Sequence, residues 1–348
     1  MVVSAFNLSY GIGQLPAGWL ADRIGPRFLI TIGLVGVALT GLLIGLSQTF
    51  VMLLVFLVLM GMFGGGYHPA ASPLIAASVE PEKRGRALGF HLIGGSSSFF
   101  LAPIIAAAIA AVWGWRGSFI VLAAPTIVFG MIFYVLLSRR KDVGRSESIA
   151  TNHEILRSIP GQTRHLVAFM ILTTSVQAVI LSVIAFMPLF MVDQFGVSEG
   201  TAAASLAYVY VAGLWASPLG GYLSDRLGRV PVMLVISFII GPIIYMMNLM
   251  PYGPYGIGFG AVLLSIGTIM SIRMPVSEAY IFEQTSMRHR STVLGIYFFA
   301  SLEAGGVLTP VAGYCIDQLG FYFTLTIAGV ITVIATLICS IFLLERRK

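Results

Sequence analysis

A few polar and ionisable side chains stand inside long apolar runs of this sequence, and each needs a chemical reason to be there. Glu303 lies midway along the run 292–315, beside Gly305 and Gly306. A charge near the centre of a membrane-spanning helix costs roughly 2.5–3.5 kcal/mol, so a function is the first reading for such a residue. Glu303 can carry a proton when desolvated, contact a substrate or cation, or bond one helix to another. His68 is the one residue of the run 50–78 that titrates near neutral pH, and it sits in GMFGGGYHPAASP. Pro69 leaves the carbonyl of Gly65 without its usual donor, so an imidazole next to it suits substrate binding or proton relay, with hydrogen-bonded packing as the alternative. His91 lies a turn inside the following run, at a comparable depth. Arg273, in MSIRMPVSEAY, offers a guanidinium fork to a carboxylate or phosphate; pairing with Glu278, or snorkelling to the surface, competes with that use. Asn7, Tyr10 and Gln14 fall three and four apart on one helix face and, with Gln177, can line a cavity or form a packing seam. Two histidines on separate helices make no metal site without further ligands, and no cofactor motif is present. No HExxH or Ser-Lys arrangement is visible either, so the chain does not read as an enzyme.

A second kind of charge stands at turns. Residues 18–27 read GWLADRIGPR and residues 221–230 read GYLSDRLGRV, 203 positions apart. Asp22 falls at the start of the helix that follows, where a carboxylate can meet unpaired N–H groups and the positive end of a helix dipole. An Asp-Arg cluster that breaks when two bodies separate is a two-state element, whereas the plainer reading is a topological anchor.

The elements that must position these groups follow from composition. Of 348 residues 57% are hydrophobic and only 10% charged, and the mean hydropathy is +0.94. Soluble domains carry roughly 25% charge. Apolar runs long enough for a hydrocarbon core of about 30 Å recur, and backbone without water must bond within its own segment, which makes them helices. The expected spans are 2–21, 28–47, 50–78, 87–111, 117–138, 166–191, 200–223, 231–249, 256–281, 292–315 and 320–343, eleven in all. The formal charge of +6 is no nucleic-acid signature, because 18 of the 20 Lys and Arg fall on alternate connections and the C-terminal end. The positive-inside rule makes those cytoplasmic. Arg116 breaks the pattern. Cys315 and Cys339 read as free buried thiols. The run after Met1 lacks a basic leader and a cleavage site, so it reads as a span. Trp19, Trp113, Trp115 and Trp215 read as interface or packing aromatics.

The chain is built twice. Gly18, Leu20, Asp22, Arg23 and Gly25 recur as Gly221, Leu223, Asp225, Arg226 and Gly228, while Pro69, Arg84 and Gly89 recur as Pro275, Arg290 and Gly295 at a spacing of 206. The expected division is an N-terminal bundle 1–138, a cytoplasmic connection 139–165 and a C-terminal bundle 166–348. The counterpart of the run 166–191 would precede residue 1, so the first half has five spans against six. Either the sequence is truncated or the protein natively lacks a helix.

Two such halves with G-x-L-A-D-R-x-G-x-R resemble the major facilitator superfamily of secondary transporters over essentially the whole chain. The resemblance implies an all-α, two-bundle polytopic membrane protein in which this chain lacks the usual first helix. In that family the loop motif stabilises the outward-open state through cytoplasmic contacts between the halves. Carried over, the gate comprises Asp22, Arg23 and Arg27 with Asp225 and Arg226, joined by Arg229, Arg84 and Arg290. Val230 replaces a basic residue of the second copy, so a weaker second gate is expected. The pattern of the family's proton-linked drug exporters is missing: Leu57 stands where they place Arg, and Ala102, Ala106 and Ala107 where they place Gly. The GxxGxxYHP region loosely resembles the fosmidomycin-resistance-like and organic-anion branches. The implied function is alternating-access transport of a small organic solute, anionic and proton-coupled. The alternatives are an amphipathic drug or metabolite exporter and a transporter-like sensor or scaffold. The implied setting is the inner membrane, with a monomer in the lipid bilayer and with protons and solute as partners.

Overall fold

The computed structural model describes residues 2–139, 162–251 and 256–344. Most of the expected connection 139–165, and the basic end at Arg346, Arg347 and Lys348, lie outside the described residues. Within them all regular structure is helical: Val2–Ile24, Pro26–Gly45, Phe50–Gly65, Tyr67–Ala77, Arg84–Arg139, Gln162–Phe195, Glu199–Val211, Gly213–Leu227, Arg229–Met246, Ile257–Gln284 and Arg290–Leu344, with 3₁₀ turns at Pro81–Lys83 and Met287–His289. Eight helical stretches among the described residues are long and apolar enough to cross a membrane. Their uncovered faces carry residues such as Val51, Val112 and Val307, which water would drive together and hydrocarbon solvates.

Single glycines reverse the longest helices. Arg84–Arg139 and Arg290–Leu344 hold 56 and 55 residues, which would extend each to roughly 80 Å if straight, against a hydrocarbon core of about 30 Å. Each is interrupted at one non-helical residue, Gly114 (φ 69, ψ 172) and Gly320 (φ 78, ψ 171). These two glycines have the 206-residue spacing of the sequence repeat. Gly25 (φ 93, ψ 147) and Gly228 (φ 94, ψ 152) match each other at the 203-residue spacing. A Cβ disfavours left-handed φ, so the repeat read in residue types is also a repeat in backbone conformation.

Two of the expected spans are interrupted. The run 50–78 breaks at Gly66, the last of three consecutive glycines and three residues before Pro69, which supplies no amide hydrogen to Gly65. The run 200–223 breaks at Ala212, whose carbonyl accepts from both Trp215 (3.3 Å) and Ala216 (2.8 Å).

The chain clusters into two compact units. The first comprises Met1–Glu80, Leu101–Arg157 and Thr285–Ala300; the second comprises Pro81–Phe100, Ser158–Gln284 and Ser301–Lys348. Each therefore contains a short segment from the other half of the sequence. In the first unit Val2–Ile24 packs closely on Phe50–Gly65, because Gly13 lies against the Met62 backbone and Gly61 against Ser9. The core of the second unit is larger and aromatic: Phe190 stacks on Phe259 at 5.7 Å and meets Phe321 edge-on at 5.3 Å.

Candidate functional site

The exchanged segments begin as helices whose first N–H groups have no acceptor within the helix. In the first unit Asp22 supplies one. Its Oδ1 accepts from the Ser291 amide (3.0 Å), and its Oδ2 accepts from the Thr292 amide (2.8 Å) and the Thr292 hydroxyl (2.6 Å). In the second unit Asp225 does the same, Oδ1 accepting from the Gly85 amide and Oδ2 from the Arg86 amide, both at 2.9 Å. Each carboxylate thus spans two consecutive amides at the positive end of a helix dipole.

The expectation that Asp22 caps the next helix in sequence is corrected. That helix has Gly25 as its N-cap without a side-chain bond, while Asp22 still belongs to Val2–Ile24 and projects sideways from it. The repeated glycines permit the approach. A Cβ on Gly295 would stand 2.5 Å from the Gln14 carbonyl and 3.3 Å from the Gly18 Cα. One on Gly85 would stand 2.5 Å from the Gly221 carbonyl, and one on Gly89 2.8 Å from the Pro218 Cα.

The arginines of the two Asp-Arg pairs do not bond their neighbouring aspartates, since adjacent helical residues point about 100° apart. Arg23 stacks on Trp19 at 3.9 Å and Arg226 on Tyr222 at 4.8 Å. The cation at Asp225 is Arg229, whose Nη1 donates to Oδ1 at 2.6 Å and to the Ser224 hydroxyl at 2.7 Å. Nη2 of Arg229 reaches Glu283 at 3.0 Å, and Arg86 Nε lies 3.7 Å from Asp225 Oδ2. Arg229, already named with the gate, stands one position before Val230 and is 8% exposed, so the second turn holds a buried cation although Val230 is apolar. Glu283, from the helix Ile257–Gln284, is thus the second carboxylate on this guanidinium. Arg290 donates to the Thr285 carbonyl, Arg84 lies over Phe282, and Arg27 is half-buried near the start of its helix. The overlooked members are the amides of residues 85, 86, 291 and 292. The recurrence of Arg84 as Arg290 marked these segments as equivalent but gave no hint of their partners.

Within the spans, Arg273 is buried in the second unit, where Nη1 donates to the Thr173 hydroxyl at 2.7 Å. The Thr173 and Ser277 hydroxyls are 2.9 Å apart, and Ser277 donates back to the Arg273 carbonyl, closing a ring of hydrogen bonds. Glu278 is fully buried in the same helix. Glu303 is half-buried and makes no hydrogen bond or ion pair among the described residues. It lies off the face of its helix that meets Gln162–Phe195, where Ser301 and Thr309 bond Thr174 and Ser182 at 3.2 Å. Gln14 is buried and Gln177 half-buried, and the Oε1 of each is buried without a hydrogen-bond partner among the described residues. Asn7 is exposed, while Tyr10 lies with its ring against Gly64. His68 belongs to the first unit, its ring 5.5 Å from that of Phe298, and His91 belongs to the second.

Apolar helices bearing a repeated, reciprocal carboxylate cap define a polytopic membrane protein with an internal duplication. The sequence profile of the Major Facilitator Superfamily matches residues 1–310 and again 169–348, and the chain belongs to that family of membrane transporters. It is 26% identical over 332 residues to the multidrug resistance protein MdtG of Proteus mirabilis, covering 92% of this chain and 81% of that relative. It is 32% identical over 142 residues to a probable L-galactonate transporter of Escherichia coli, covering 41% and 31%. Among solved structures, the fucose:proton symporter FucP of E. coli aligns with a TM-score of 0.73 at 17% identity, covering 100% of this chain and 90% of that one. The proton:xylose symporter XylE aligns at 0.76 and 19%, covering 98% and 85%. Identities this low establish a common fold.

Proposed function

We propose that this chain moves a small organic anion by alternating access, coupled to protons. Glu303 carries the proposal, as a carboxylate inside an apolar span that has neither a cation nor a hydrogen bond among the described residues. Such a group is held more cheaply protonated than charged when water leaves it, and that difference can couple proton movement to the solute. The buried Arg273 supplies the positive charge for an anion, with Gln177 offering an amide in the same unit. Asp22 and Asp225 serve as the gate: releasing their helix ends lets segments 81–100 and 285–300 change allegiance between the two halves of the sequence. Counting Val2–Ile24, treating each interrupted run as one crossing, and splitting the two glycine-reversed helices gives eleven crossings, with the basic connections cytoplasmic. The halves 1–138 and 166–348 act as the repeated bundles.

The test is solute flux in proteoliposomes under an imposed proton gradient, with a panel of organic acids and amphipathic drugs. Gradient-driven uptake of an acid that disappears in Glu303→Gln supports the proposal, and uptake indifferent to both the gradient and Glu303 refutes it. Export of amphipathic compounds is the second reading. It is favoured by the similarity to MdtG and by a cavity of about 140 Å³ in the second unit, lined by Val179, Phe186, Leu308, Phe321 and Ile331. Flux of drugs but not of acids would select it.

A further inference from the structure

At the end of the helix Gly213–Leu227, Tyr222 carries two guanidinium groups on one ring. Arg226 lies 4.8 Å and Arg86 5.5 Å from its centroid. The Arg86 side chain is 40% exposed, Arg226 is exposed, and the Tyr222 hydroxyl makes no hydrogen bond among the described residues. Two cations converging on one ring repel each other unless an anion lies near both. The nearby carboxylate of Asp225 meets that need only in part: its Oδ2 lies 3.7 Å from Arg86 Nε, but it is 3% exposed and already accepts from the Gly85 and Arg86 amides and from Arg229.

Below the pair the surface is apolar and uncovered. Trp215, Leu219, Tyr222 and Arg226 follow one another at spacings of four, three and four, which places them on one helix face. Trp215 and Leu219 are exposed, as is Phe90, one turn beyond Arg86. All of these residues belong to the second unit. A positive, hydrogen-bonding head above an apolar stripe at the end of a membrane helix matches one kind of molecule in both charge and polarity.

We propose that this face binds an anionic phospholipid, its phosphate between Arg86 and Arg226 at the Tyr222 hydroxyl and an acyl chain along Leu219 and Trp215. The repeat provides an internal control. At the equivalent place in the first unit Trp19 and Arg23 stand for Tyr222 and Arg226, but Thr292 stands for Arg86, so the second guanidinium of the pair is replaced by a neutral hydroxyl. The site is therefore specific to the second copy, and it does not depend on which solute the protein carries.

The purified full chain would be taken from micelles holding equimolar dioleoylphosphatidylglycerol and dioleoylphosphatidylcholine, and the retained lipids counted by native mass spectrometry. The expected result is retention of phosphatidylglycerol over phosphatidylcholine by roughly tenfold. That preference falls toward parity in Arg226→Gln and in Arg86→Gln and is kept in Arg23→Gln. Arg226 is exposed, so its replacement leaves the fold intact, and Arg226→Lys should retain most of the preference. No preference in the wild-type chain, or one that survives the Arg86→Gln/Arg226→Gln double change, overturns the proposal. So does an equal loss in Arg23→Gln. Displacement of the lipid by millimolar inorganic phosphate would reveal a free-anion site and overturn the lipid assignment.

Discussion

The turns around Asp22 and Asp225 share a backbone and differ in charge. Each ends at a left-handed glycine, each crosses a partner helix through glycines, and each carboxylate spans two consecutive amides of a segment far away in sequence. At Asp22 the third bond comes from a neutral hydroxyl, that of Thr292. At Asp225 it comes from Arg229, which is itself held by Ser224 and Glu283. The duplication has therefore kept the cap and the close crossing while the electrostatics diverged. Opening the first cap takes from Asp22 the amides and the hydroxyl that it accepts from, whereas Asp225 keeps the Arg229 guanidinium, four residues away in its own segment, when the Gly85 and Arg86 amides leave.

This difference sets an order of expected effects. Asp225→Ala should be the most damaging, destabilising the detergent-solubilised protein by about 3–5 kcal/mol, because Arg229 keeps its buried charge without its nearest partner. Asp22→Ala leaves neutral amides unpaired and should cost about 1–3 kcal/mol in the same unfolding measurement. Equal costs would remove the contrast between the turns. Gly295→Ala and Gly89→Ala should each cost about 1–3 kcal/mol by forcing the crossing apart, and they should do so alike in both units. A large effect in one unit alone would show that the crossings are not equivalent. A double-mutant cycle of Arg229→Gln with Glu283→Gln should give a coupling of about 0.5–3 kcal/mol, and a coupling near zero would remove Glu283 from the network. Thr292→Val should have the smallest effect, about 1 kcal/mol, since the two amide bonds to Asp22 remain.

Much of this architecture is legible in residue types. The apolar runs mark the helices, and the matched Asp, Arg and Gly positions mark the duplication, which returns as paired left-handed glycines. The candidate gate was legible in its aspartates but not in their partners. Asp22 lies 269 residues from Ser291, and local reasoning assigns its carboxylate to the helix beside it. Val230 suggested a missing cation because motif matching counts positions, while a side chain bonds according to where the helix aims it; Arg229 is one residue away and correctly phased. Likewise Arg23 and Arg226, adjacent to the aspartates in sequence, turn onto aromatic rings.

Composition alone determined that this chain lives in a membrane as helices, because backbone polar groups in hydrocarbon must bond within their own segment. The residue repeat alone determined that it is duplicated. The tertiary structure decided which helix ends the repeated carboxylates hold, which arginine joins them, and where Gly66 and Ala212 interrupt the spans. Those outcomes depend on distance and direction between segments far apart in the chain. Spacing along a sequence carries direction only within a single helix.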